Sequence, residues 1–272
     1  MQVKTRPPAV AGAFYPGDAN KLMTLVEKFL QDAKQKLSKN FLNRAASLKA
    51  IVAPHAGYPY SGSTAGFGYA LLRERAKKKP VEKIVCIGPS HYALFSGVAE
   101  PDCGEWLTPL GSVKAFSLQS EKAFSQLVVA SREAHSQEHC LEVQLPFLQT
   151  VLKKFQFAGL LTGKVEPNAL GDALASVAGA KETVLIASSD LSHYHPYEQA
   201  RALDALANES VPALDLRAAQ SVEACGKTGV LALMHCAKKL GWKGEFLDYR
   251  NSGDASGDKA AVVGYGCYAF FE

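Results

Sequence analysis

After the loop Gly12-Ala13-Phe14-Tyr15-Pro16-Gly17-Asp18, the apolar residues Leu22, Leu25, Val26 and Leu30 recur at helical spacing, which predicts an amphipathic helix to about Leu37. Leu48 to Val52 reads as a buried strand ending at Pro54-His55. A helical pattern from Ser63 to Lys78 then leads into a second strand, Lys83 to Ile87, ending at Gly88-Pro89-Ser90-His91. Strand, helix, strand is the signature of a parallel βαβ unit. The alternation continues with helices predicted near Ser120–Ala130, Leu141–Lys154 and Ala169–Ala178, and strands at Phe155–Leu161 and Thr183–Ala187. Helical stretches near Glu198–Asn208, Leu214–Ala224 and Gly229–Leu240 follow, and the chain closes with two strands, Gly244–Tyr249 and Ala260–Phe271, joined by a polar loop. The pattern predicts an α/β fold with a mostly parallel central sheet flanked by helices. It shows no repeat, low-complexity segment or linker, so residues 1–272 are read as one domain.

Composition narrows the class. With 272 residues and 47% hydrophobic content the chain can bury a large core unaided. The formal net charge of +4 arises from 30 basic and 26 acidic residues with no long block beyond Lys77-Lys78-Lys79, which reads as the solvated end of a helix and argues against a nucleic-acid surface. The six cysteines form no Cys-x-x-Cys pair, and Cys86 and Cys267 lie in apolar runs where cysteine packs as a small hydrophobe. With no signal-peptide or membrane-spanning stretch, a reduced, cytoplasmic protein is expected.

The chemistry concentrates in histidine. Of seven histidines, five lie in short polar turns, at His55, His91, His139, His193 and His195, and three of those turns follow an apolar run. In open sheets of parallel strands, ligands collect at the carboxyl ends of the strands, where His55, His91, Asp190 and His193 all fall. His55 and His91 are the leading metal-ligand candidates, because a loop just past a rigid strand fixes an imidazole while leaving positions open to substrate. A backbone cap would also account for either histidine alone. Asp190 and His193, three apart, suit acid/base chemistry, the carboxylate orienting the imidazole or both facing the pocket. The alternative is a helix N-cap by Asp190. His195, before Pro196, is expected at the surface.

Glu138, His139 and Glu142 precede a helical pattern, and a helix N-terminus accounts for Glu138. His139 is a candidate pocket residue. In Asn251-Ser252-Gly253-Asp254-Ala255-Ser256-Gly257-Asp258, Asp254 or Asp258 could complete a His/His/Asp set, the pattern of non-haem Fe(II) oxygen chemistry, although an ordinary hairpin loop fits the same residues. A serine-hydrolase reading fails, because the chain has no Gly-x-Ser-x-Gly elbow and Ser188, Ser189, Asp190 and His193 crowd one turn. No phosphate-cradling or dinucleotide fingerprint occurs.

Together, Gly12-Ala13-Phe14-Tyr15-Pro16-Gly17, Ala53-Pro54-His55-Ala56-Gly57-Tyr58, Gly88-Pro89-Ser90-His91, Glu138-His139 with Glu142 and Leu145-Pro146, Ser188-Ser189-Asp190-Leu191-Ser192-His193, and Ser252-Gly253-Asp254 resemble the Memo family over essentially the whole chain. The resemblance implies the Memo fold, similar to that of LigB-type class III extradiol dioxygenases, which bind Fe(II) through two histidines and a carboxylate. Bacterial and archaeal relatives are known as the B component of the AmmeMemoRadiSam system, encoded beside a radical-SAM protein, and animal relatives are linked to cell-motility signalling.

Carried over by that resemblance, His55 and His91 match ligand positions, His193 the acid/base histidine, Asp190 the aspartate of the same motif, and Phe14 and Tyr60 aromatic positions lining the pocket. Animal relatives carry a cysteine in the final loop. Here Asp254 or Ala255 takes that position, which makes Asp254 the third-ligand candidate and leaves Asp258 as the alternative. The expectation is a metal-dependent, dioxygenase-like redox enzyme using Fe(II), with copper or zinc as the other candidate metals. The rival is a non-enzymatic module binding a small molecule or peptide and working with a radical-SAM partner; neither nucleic acid nor a membrane is an expected partner.

Overall fold

The computed structural model describes residues 4–179 and 182–272. Its strands are β1 (Thr5–Arg6), β2 (Leu48–Ala53), β3 (Lys83–Pro89), β4 (Val98–Glu100), β5 (Glu105–Thr108), β6 (Gly111–Ala115), β7 (Val128–Ala130), β8 (Gln156–Thr162), β9 (Thr183–Ser188), β10 (His193–His195), β11 (Lys243–Asn251) and β12 (Val262–Phe271). Its helices are α1 (Ala19–Lys36), α2 (Lys39–Arg44), α3 (Tyr58–Lys78), α4 (Arg132–Ser136), α5 (Leu145–Val151), α6 (Pro167–Ala178), α7 (Tyr197–Ser210), α8 (Leu216–Ala219), α9 (Lys227–Lys239) and α10 (Ser252–Ser256).

The centre of the sheet runs β6-β8-β3-β9-β2 with every neighbouring pair parallel, and β12 closes it antiparallel to β2. The expected α/β architecture is therefore present. Strands buried on both faces alternate their side chains between two cores. Ile51, Ile84, Cys86, Val184 and Ile186 point to the side of α1, α3 and α5. Val52, Val85, Ile87, Leu185 and Ala187 point to the side of α6 and α9. The first predicted helix forms because Asp18 caps it by accepting the Lys21 N–H at 2.9 Å, and Leu22, Val26, Phe29 and Leu30 bury one face.

Three helix expectations need correction. Ser120–Ala130 is a series of turns ending in β7, because the buried Glu100 carboxylate holds the Leu118 N–H and Ser117 hydroxyl while Val128–Ala130 pairs with β4. Leu141–Lys154 shortens to a 3-10 turn at Glu142–Gln144 followed by α5. Leu214–Ala224 contains only α8, begun by Asp215 capping the Arg217 and Ala218 N–H groups after Leu214 takes a φ of 54°. The polar loop of the last hairpin contains a further helix, α10. Among the described residues, no helix is long and apolar enough to cross a membrane.

Candidate metal centre

The parallel strands β2, β3 and β9 end side by side, and their next residues supply His55, Ser90-His91 and Ser189-Asp190. The 138–140 segment crosses the end of β3 closely. A Cβ on Gly88 would stand 2.5 Å from Cys140 Sγ, so glycine is required for that approach. The result is a cluster in which ring nitrogens of His55, His91 and His139 lie within 4.8 Å of one another. Ring centroids are 5.4 Å apart for His55 and His91, 5.5 Å for His55 and His139, and 4.8 Å for His91 and His139, whose planes are nearly parallel.

Each ring is held from behind. Ser188 donates its one hydroxyl proton to the Cys140 carbonyl at 2.7 Å and accepts from Gln144 Nε2 at 2.8 Å, so His55 Nδ1, 3.0 Å away, must donate to it. Gln144 is oriented in turn by the Tyr69 hydroxyl, which donates to its Oε1 at 2.6 Å. His55 therefore carries its lone pair on Nε2. The Glu138 carboxylate accepts the backbone N–H of His91, His139 and Cys140 and the Nδ1–H of His91 at 2.9 Å, leaving His91 Nε2 to a ligand. Burial opposes ionisation of Glu138, yet these donors outweigh it and hold its pKa near about 2. Glu138 is thus an internal anion bound by its own backbone, not a helix-end carboxylate.

His139 Nδ1 lies 3.3 Å from Glu138 Oε1 at an angle that makes no hydrogen bond, and it is buried without a partner. Coordination to an ion would satisfy it. Burial lowers the pKa of both His55 and His139, reinforced in each by neighbouring imidazoles. Both rings are neutral near pH 7, the form that ligates metals. His91, Glu138 and Cys140 form a second, overlapping group of potential donors.

The remaining candidates fall in different places. The Phe14 ring centroid is 4.8 Å from that of His139, and the Phe14 carbonyl accepts the Tyr58 N–H at 2.8 Å, tying the N-terminal loop to the His55 turn. Tyr60 is exposed in the first turn of α3. His193 is partly exposed and close enough for its charge to act on both His55 and His91.

Asp190 does not orient His193. Its Oδ1 instead accepts the backbone N–H of His55 at 2.7 Å and of Ala56 at 3.3 Å, and burial pushes its pKa up to about 7. His195 pairs with Glu223 at 3.0 Å and belongs to neither donor group found among the described residues.

Asp254 is the main departure from expectation. Its Oδ2 accepts the Asn251 N–H at 2.9 Å in the capping box that starts α10, and its Oδ1 accepts the Tyr197 hydroxyl at 2.7 Å. Asp258 is exposed and accepts the Ala260 N–H at 2.9 Å. Neither carboxylate belongs to the donor groups found among the described residues, and His139 stands with His55 and His91 in their place. Sequence reasoning named Ser188 only within a rejected hydrolase set and a motif, not as the His55 anchor, and left unmarked Cys225, whose Sγ is 3.2 Å from His55 Nε2. The Cys225-Gly226 pair just before α9 was the available signal.

An α/β sheet carrying a converged set of imidazoles at its strand ends defines the class of this protein. The Memo-like protein family model matches residues 6–269. The chain is 33% identical to a MEMO1 family protein of Nitrosopumilus maritimus, over 97% of this chain and 99% of the relative. It is 36% identical to one of Methanopyrus kandleri and 37% identical to one of Ignicoccus hospitalis, each over 97% of this chain and 98% of the relative. The chain belongs to the Memo family.

Proposed function

We propose that this Memo family member binds one divalent transition metal through His55, His91 and His139 and uses it for redox chemistry of the dioxygenase type. The observation that carries this reading is the convergence of three neutral or orientable imidazoles on one point, two of them with the outward tautomer fixed by Ser188 and Glu138. Imidazole donors suit iron, copper and zinc alike; Fe(II) is the metal that the family resemblance favours. Such an ion, when bound, would supply Lewis acidity and open positions for oxygen and a chelating substrate.

The chain's own residues have separable roles in this reading. Phe14 and the exposed Tyr92, whose ring centroids are 4.8 Å and 6.4 Å from that of His139, would offer aromatic faces to a substrate beside the ion. His193, partly exposed and held below the usual histidine pKa by burial, is free to take a proton from substrate. Asp190 fixes the His55 turn and takes the positioning role.

Anaerobic reconstitution with Fe(II), followed by metal analysis and oxygen uptake with catecholic compounds, tests this reading. Stoichiometric iron lost in His55→Ala, with uptake lowered in His193→Gln at unchanged iron content, is the expected result. Absence of iron, copper and zinc from the reconstituted protein would overturn it. A second reading, a binding module for a small molecule or peptide acting with a radical-SAM partner, is favoured by the exposed Tyr92, Leu94 and Tyr194, the last held at a φ of 62°. Metal binding without oxygen uptake, together with co-purification of that partner, would select it.

A further inference from the structure

A cavity of about 110 Å³ lies at the β1 edge of the sheet, between β1, the 101–103 turn that follows β4, and α4. Its walls are tied together by the backbone. Gly104 N–H donates to the Lys4 carbonyl at 2.8 Å, Ser131 N–H donates to the Glu100 carbonyl at 2.8 Å, and the Ser131 hydroxyl caps α4 by accepting the Ala134 N–H. None of the lining residues belongs to the histidine cluster.

The wall carries one cation without a counter-ion. Arg132 is exposed and makes no ion pair among the described residues, whereas Asp102 beside it is neutralised by Lys4 Nζ at 2.6 Å. Arg6 is balanced by Glu142 and spends its Nε–H, both Nη1–H and one Nη2–H on the oxygens of His135, Pro7, Glu142 and Glu138. One of its five N–H groups is left. Burial pushes the pKa of the half-buried Cys103 thiol up, and the charges of Arg6 and Arg132 act against that, so both guanidinium groups reach the cavity electrostatically.

His135 adds the discriminating group. A carbonyl only accepts, so His135 Nε2, 2.9 Å from the Ala99 oxygen, carries the ring proton, and burial holds the ring neutral with a pKa of about 4. Its Nδ1 is therefore a lone pair, buried and without a partner among the described residues. Such an acceptor calls for a donor.

The wall thus asks for negative charge and an O–H on one small group. We infer that this cavity binds a small oxyanion that keeps a proton at neutral pH, hydrogen phosphate or bicarbonate, its charge on Arg132 and its O–H donated to His135 Nδ1. One water occupies about 30 Å³ in the liquid, so the volume suits about four or five bonded heavy atoms and is too small for a nucleotide or a peptide. Sulfate matches phosphate in shape but has no proton near neutral pH, and it would set an oxygen lone pair against that of His135. A site built on a hydrogen bond rejects the analogue that lacks it. A phosphomonoester, with a second pKa of about 6, is mostly a dianion without O–H above neutral pH and is rejected for the same reason.

Calorimetric titration of the full, unmutated chain with inorganic phosphate, bicarbonate, sulfate and glycerol phosphate, slightly above neutral pH and at constant ionic strength, tests this inference. Phosphate or bicarbonate binds at least tenfold more tightly than sulfate and glycerol phosphate, a comparison that needs no variant to fold. At saturation the tighter of the two slows alkylation of Cys103 at least fivefold by peptide mass spectrometry, which places it in this cavity. Arg132→Gln, at an exposed position that leaves the buried Arg6–Glu142 pair intact, lowers that affinity at least tenfold. Sulfate bound as tightly as phosphate, binding that leaves Cys103 alkylation unchanged, or affinity unaffected by Arg132→Gln would overturn the assignment, as would absence of binding by both protonated anions.

Discussion

Oε1 of Glu138 lies 2.9 Å from His91 Nδ1, while Oε2 of the same carboxylate accepts the His91 backbone N–H at 2.7 Å. One buried side chain therefore fixes both the loop and the ring of a candidate ligand. The carboxylate behind a ligating histidine sets its tautomer and raises its basicity, and losing such a partner typically costs about 10–100-fold in metal affinity. Glu138→Gln, which keeps size and removes charge, is expected to weaken zinc(II) binding by about that factor in a chelator competition titration. Unchanged affinity would mean that His91 is not a ligand.

Behind Glu138 stands Arg6. It pairs with the fully buried Glu142 at 2.8 Å, donates to the carbonyls of His135 and Glu138, and lies over the Trp106 ring. Glu142 accepts in addition from Ala9 N, Val10 N and the Tyr15 hydroxyl. Removing one partner of such a pair leaves a buried charge unbalanced, so Arg6→Met should lower unfolding stability by about 3–5 kcal/mol in urea titrations. A loss below about 1 kcal/mol would place the pair among weakly contributing ones.

Burial lowers the His135 pKa to about 4, and its Nε2 is bonded to the Ala99 carbonyl at 2.9 Å. The folded state therefore favours neutral His135, whereas the unfolded chain binds a proton near the ordinary value. The unfolded state takes up more protons below about pH 6.5, so stability is lost as pH falls from there to about 4, by roughly 3 kcal/mol from this group. Urea unfolding of the intact protein and His135→Gln across that window should show the slope reduced in the variant; equal slopes would assign it to other groups.

The capping role found for Asp254 gives a contrasting expectation. Asp254→Ala should cost about 1 kcal/mol through loss of the α10 capping box and leave metal affinity unchanged. Chemical unfolding and zinc(II) titration of the same variant measure the two effects separately.

Much of this was legible from the residues. The runs at Leu48–Val52, Lys83–Ile87 and Thr183–Ala187 are strands because they are apolar on both faces, as a parallel sheet demands, and His55 and His91 follow from where those runs stop. His139 was visible only as a pocket candidate, since its approach depends on the 138–140 segment crossing Gly88, a contact that no local pattern encodes. Asp254 misled because a Gly-rich polar loop fits a ligand loop and a capped short helix equally well. The choice is made by the Asn251 N–H and the Tyr197 hydroxyl, the second of them distant in sequence. Cys225 offered only a Cys-Gly pair, whose meaning depends on the end of β9 lying against it.

The central claim is that three imidazoles, with His139 in the place expected for an aspartate, hold the metal. It is tested most directly by metal stoichiometry and zinc(II) or Fe(II) affinity of His139→Ala beside Asp254→Ala, both compared with the unmutated protein under anaerobic conditions. The account predicts one ion per chain in the unmutated protein and in Asp254→Ala, and affinity reduced at least a hundredfold in His139→Ala. Full binding by His139→Ala with loss in Asp254→Ala would contradict it.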